Sequence, residues 1–209
     1  KPEVLALMEK LRAAGKPLGE YVNGRFYRGV VTGLNDAFVI DGPMRERLIA
    51  EDPKSKELIK PWLRGRDIKK WKSEWAGLYV IFVPWHFPLH NDPSVQGASE
   101  KAEKAFQHQY PAVYKYLLNF RDQLSKRNVD ETGIRYEWYA LQRCAATYYK
   151  EFEEPKIIWG NMATSPKFAF DRDDYYISAP ANLLPASDTY LVGLLNSSIC
   201  NWLIAFLAA

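Results

Sequence analysis

A chain of 209 residues with 47% apolar and 25% charged residues can bury one sizeable core, which excludes a disordered tail or a disulfide-stapled miniprotein. The net charge of +3 sets up no global field for a polyanion, so any nucleic-acid surface must come from local clustering. Cys144 and Cys200 stand far apart at no metal-ligand spacing and read as reduced thiols of a cytoplasmic protein.

The chain opens at Lys1 with no initiator methionine or signal-peptide pattern and stops inside an apolar run, so it reads as a piece of a longer protein. Pro2 to Ala14 has helical apolar spacing, with Gly15 placed as a C-cap and Pro17 as a stop. Arg25–Val31 and Ala37–Asp41, separated by the turn residues Thr32–Asp36, predict a β-hairpin. Asp41 then caps a helix from Met44 to Ala50, which Pro53 ends. Gly77–Val83 is a continuous apolar run expected to be a central strand buried on both faces.

Pro84 to Gly97 predicts an irregular loop able to reach away from the body. Helical spacing follows over Ala98–Gln107 and Pro111–Lys126, then a polar turn over Arg127–Thr132 and a further helix over Ile134–Tyr149. Short strands are expected at Lys156–Trp159, Lys167–Phe170 and Tyr175–Ser178, forming an antiparallel part of the sheet. Thr189–Phe206 predicts a last helix with Asp188 as its N-cap; polar residues from Asn196 to Asn201 argue against a membrane span. The fold class is therefore α+β, with a mixed, largely antiparallel sheet packed with helices.

Between Lys60 and Lys72 six cations and two tryptophans surround a single acid, Asp67. Such a knot is the footprint of a phosphate-facing surface, and a solvated turn is the ordinary alternative. Recognisable catalytic constellations are missing: there is no Gly-x-Gly-x-x-Gly, phosphate loop or Gly-x-Ser-x-Gly elbow. His86 and His90 lie in a proline-broken loop and read as polar loop residues rather than metal ligands. Glu154 and Lys156 match half of a metal-dependent nuclease site, but the upstream Asp is lacking, so the pair reads as the start of a strand. Asp171, Asp173 and Asp174 read as a turn.

Taken in order, Tyr27–Asp41, Ile59–Ile68, Trp138–Arg143, Lys156–Trp159 and Leu194–Ser197 resemble the TaqI-like C-terminal specificity domain. That is the target-recognition domain of adenine-specific DNA methyltransferases and combined restriction-modification enzymes. The resemblance implies a double-stranded DNA partner and an upstream methyltransferase domain of the same chain. It further implies S-adenosylmethionine as that domain's cofactor, with no cofactor held by these residues. No Asn-Pro-Pro-Tyr or Asp-Pro-Pro-Tyr motif occurs. The expected division is 1–19 as an N-terminal helix and linker, 20–188 as the recognition domain, and 189–209 as a C-terminal helix.

Within this reading Arg28, Lys60, Arg64, Arg66, Lys69 and Lys70 are the candidates for phosphate. Asn91, Arg127, Asn128, Arg135 and Arg143 are the candidates for base edges, since Asn and Arg offer bidentate geometry. Arg64 and Arg66 have an ordinary alternative in pairing with Asp67, and Trp62, Trp71 and Trp138 read as core or edge packing rather than stacking platforms. Sequence choice falls to the unmatched loops 84–97 and 127–136. Two rival functions are a nuclease using Glu154 and Lys156, and a protein-interaction domain of a phage-defence complex docking through its last helix.

Overall fold

The computed structural model describes residues 2–127, 136–160, 167–186 and 189–207. Helix α1 (Pro2–Ala14) forms where its spacing predicts, yet buries none of its residues. A one-turn helix α2 (Leu18–Tyr21) leads to strand β1 (Tyr27–Arg28), and the turn after it coils into α3 (Asn35–Phe38) before β2 (Val39–Ile40). Asp41 caps α4 (Gly42–Glu51) by accepting a 2.9 Å bond from the Met44 N–H, as its sequence position dictates. The short α5 (Ser55–Leu58) runs into β3 (Ile59–Leu63), and β4 (Tyr79–Ile81) follows.

The helical middle comprises α6 (Glu100–Gln109), α7 (Pro111–Leu118) and α8 (Arg121–Ser125). Strands β5 (Lys156–Trp159), β6 (Phe168–Asp171), β7 (Tyr176–Ile177) and β8 (Asn182–Pro185) come next. Helices α9 (Tyr190–Leu195) and α10 (Ser198–Leu207) close the described chain. The class is α+β, as expected, but the strands divide into two four-stranded sheets, ordered β1-β8-β5-β6 and β2-β4-β3-β7. Every pairing between these strands is antiparallel except β3 with β7.

Alternation along the first sheet builds two cores. Ile158, Ala169 and Leu183 face the main core shared with the second sheet and α6–α7, whereas Ile157, Phe168 and Leu184 face a smaller cluster with Leu191, Val192 and Leu195 of α9. Strand β4 is central and buried, as its apolar run predicts. No helix among the described residues is long and apolar enough to cross a membrane.

Several local expectations give way to tertiary partners. The predicted hairpin does not form: β1 pairs with β8 and β2 with β4, in different sheets. Gly29 explains part of this, since a Cβ there would sit 2.5 Å from the Ile177 oxygen, so the first segment is pressed against residues 177–179 instead. From Tyr136 to Tyr148 there is no helix, because Leu141, Gln142 and Arg143 spend their N–H groups on Val83, Thr32 and Val31; residues 134 and 135 lie outside the described residues. The helix expected over Pro111–Lys126 breaks at Asn119, whose amide bonds the Tyr116 carbonyl at 2.8 Å. The last helix breaks at Asn196, whose buried amide exchanges two bonds with the Phe168 main chain. Tyr175–Ser178 pairs in parallel with β3 rather than extending the antiparallel set. Asp188, the expected cap, lies outside the described residues.

Candidate nucleic-acid interface

Strand β3 sends Trp62 and Leu63 into the core and emerges at Arg64, where a single 3-10 turn, Gly65–Asp67, redirects the chain. Asp67 organises that turn. It accepts from the Arg64 main-chain N–H at 2.9 Å and from the Arg64 guanidinium at 2.8 Å on both oxygens. Burial alone would push the Asp67 carboxyl up, but these charge-assisted bonds outweigh it and hold it below the usual carboxylate range. The ordinary alternative for Arg64 is therefore realised, and its guanidinium meets any phosphate already paired.

The remaining cations differ in how committed they are. Lys60 bonds Glu153 at 2.8 Å beside the Tyr176 hydroxyl, Lys69 donates to the Arg66 carbonyl, and Lys72 lies 3.3 Å from Glu74. Among the described residues Arg66 and Lys70 form no ion pair, and both are exposed. Arg28 sits apart, exposed on β1 at the edge of the other sheet. The Tyr148 hydroxyl donates to the Arg28 main-chain carbonyl at 3.1 Å, and Arg143 is exposed on the segment that bridges Val31.

An open cleft of about 820 Å³ lies beside this run, lined by Val30–Asp36, Val39, Trp62, Arg64, Leu78, Ser178 and Ala179. Its upper wall is the turn at Gly33, which has φ +76° and no room for a side chain: a Cβ would fall 2.6 Å from Gln142 Oε1 and 2.7 Å from Arg127 Cδ. Arg127 is what braces that wall. Its half-buried guanidinium donates to the carbonyls of Leu124, Thr32, Trp138 and Ala140, and burial lowers its pKa. Reaching a base would take Arg127 away from four carbonyls. Asn35 accepts from the Thr32 hydroxyl, so it acts within the turn as expected.

The loop 84–97 is less free than expected in its first half. Trp85 donates to the Leu141 carbonyl, and Tyr139 donates to the Phe87 carbonyl. Glu137, almost wholly buried, accepts from the His86 main chain and ring and from the Ser99 N–H. This carboxylate was not singled out by sequence reasoning, although it is the lone acid between Gly133 and Lys150. Asn91 stands exposed beyond these anchors. Asn128 and Arg135 lie outside the described residues.

The half-site of Glu154 and Lys156 comes apart. Lys156 is fully buried, pairing with Asp171 at 2.6 Å and donating to the Phe152 carbonyl, while Glu154 faces solvent. Asp171 organises the expected turn, accepting from the Asp173 and Tyr175 N–H groups, and is also the buried partner of Lys156. No group of three His, Cys, Asp or Glu among the described residues could hold a metal ion. Arg64, which lines the cleft, is already paired with Asp67, and the Gly33 turn is filled from behind by Arg127 and Gln142.

Residues 60–208 match the TaqI-like C-terminal specificity domain. The block Tyr27–Asp41 lies outside that match. A Type II methyltransferase, M.MjaIV, of Methanocaldococcus jannaschii is 23% identical over 179 residues, a stretch covering 86% of this chain and 52% of that protein. The chain thus spans about half the length of this relative. The solved structure of a Type IIL restriction-modification enzyme, MmeI, in complex with DNA is similar with a TM-score of 0.44 and 12% identity, over 84% of this chain and 21% of that one.

Proposed function

Because the chain belongs to the TaqI-like C-terminal specificity domain family, we propose that it reads double-stranded DNA on behalf of a larger adenine-N6 methyltransferase or restriction-modification enzyme. In this reading residues 20–188 form the recognition body, residues 1–19 lead from an upstream methyltransferase domain of the same chain, and 189–209 form a terminal helical piece. S-adenosylmethionine and the methyl transfer belong to that other domain. The work is done in the cytoplasm, where the target DNA is.

One observation carries the proposal beyond family membership: Arg66, on the turn that Asp67 holds, and Lys70, just after it, stand exposed and without ion pairs among the described residues. Cations with no carboxylate partner neutralise phosphates without first breaking an ion pair, and release condensed counterions. Lys60, Lys69 and Arg64 have protein partners already, so they contribute to the local potential more than to direct contact. Arg28 and Arg143, both exposed, and Asn91, beyond the anchored half of its loop, are the candidates for a second contact region. Asn128 and Arg135 stay in the proposal as base-edge candidates on the strength of residue type alone, and Arg127 supports the turn that faces the cleft.

The test is duplex binding by this chain across a salt series. The Arg66→Ala, Lys70→Ala double variant should bind all sequences more weakly, with the slope of log K against log salt reduced by about 0.9 for each phosphate no longer neutralised. An unchanged slope would remove both residues from the interface.

A further inference from the structure

Trp71 is 53% accessible, the most exposed of the seven tryptophans, although packing is what its sequence position suggests. Its backbone has φ +79°, in the left-handed region where glycine sits at little cost and a bulky side chain is an outlier. The main chain is held there from outside the residue. The Trp71 N–H donates to the Phe168 carbonyl at 2.9 Å, the residue bridges Ala169 on the edge strand β6, and Lys69 N–H closes the turn on the Lys72 carbonyl.

That conformational cost does not serve to bury the ring. Among the described residues no aromatic partner packs on it; the Lys70 ammonium lies 5.5 Å from its centroid. Arg66 and Lys72, near it in the chain, are exposed as well. An exposed aromatic plate with an ammonium beside it, on a basic stretch of chain, is complementary to a polyanion that offers a free π-face. A fully stacked duplex offers none along its length, whereas an unstacked base beside its phosphates offers both.

We propose that Trp71 stacks on a locally unstacked nucleobase of the bound DNA, with Arg66 and Lys70 on the neighbouring phosphates. This rests on the DNA-reading function proposed above. The test compares, at low salt, a short duplex carrying one unpaired base with the same duplex fully paired. This chain should prefer the first by roughly 5- to 150-fold. Trp71→Ala should abolish that preference and Trp71→Phe should keep most of it. Trp71→Gly should also abolish it while leaving the melting temperature unchanged or raised, because the strain is relieved.

Equal affinity of the unaltered chain for the two duplexes, or a preference that survives Trp71→Ala, would overturn the proposal. So would a Trp71→Gly variant that melts well below the parent, since that assigns the ring to packing. Failure of the DNA-reading function itself looks different: neither duplex would bind in a salt-dependent way.

Discussion

Asp67 and Arg64 show how one pair can make a turn rigid and still leave its neighbours free. The Asp67 carboxylate is nearly buried and takes all three of its described hydrogen bonds from Arg64. Removing the guanidinium in Arg64→Ala leaves that carboxylate with the main-chain N–H alone, at a cost of about 1–3 kcal/mol in a denaturant titration. The pH dependence follows from the direction of the shift. Because the folded carboxyl titrates below its unfolded value of about 3.9, its contribution is fully present above that pH and is lost as pH falls through the folded pKa. The stability gap between the parent chain and Asp67→Asn should therefore be constant near neutrality and shrink below about pH 4. At this scale the basic cluster was legible from residue types. That Lys60 was already spent was not, because Glu153, 93 residues away, reaches it only through the fold.

At the scale of elements, the pairing of β5 with β6 decides what Lys156 is for. Register places Lys156 opposite Asp171, both side chains are 0% exposed, and their charged atoms meet at 2.6 Å. Burying one charge alone is far more costly than burying the pair, so Lys156→Met should destabilise the chain by about 3–5 kcal/mol. Adding Asp171→Leu should recover most of the loss, and a double-mutant cycle by urea unfolding measures the coupling. Near-additive losses would mean that the pair is not coupled. Strand β5 was visible as a β-branched run after Pro155. Strand β8, which lies between β1 and β5, was not, since four residues bounded by prolines carry too little periodicity. The broken helices have a common cause: Asn119 and Asn196 offer the main chain polar partners that compete with helix continuation.

For the whole molecule, the two ends are the least integrated parts. Helix α1 buries no residue, and α10 leaves Ile199, Trp202 and Phe206 37–47% exposed. Deleting residues 2–16 should therefore change unfolding free energy by less than about 1 kcal/mol, read from thermal or denaturant melts. A larger loss would tie α1 to the core. The body between the ends is one frame of two sheets and a helical middle, joined by the main core and backed by a second small one. What the amino-acid sequence determined by itself was the α+β class, the start of α4 at Asp41, the buried run that becomes β4, and the position of the basic turn. All of these depend on residues close in the chain: a cap, a periodicity, a cluster. Only the tertiary structure decided that the strands form two sheets, that Arg127 braces a turn, that Lys156 is buried, and that Trp71 is left in solvent. Those outcomes depend on partners far away in sequence, and local periodicity carries no information about which distant hydrogen-bond partner a segment will meet.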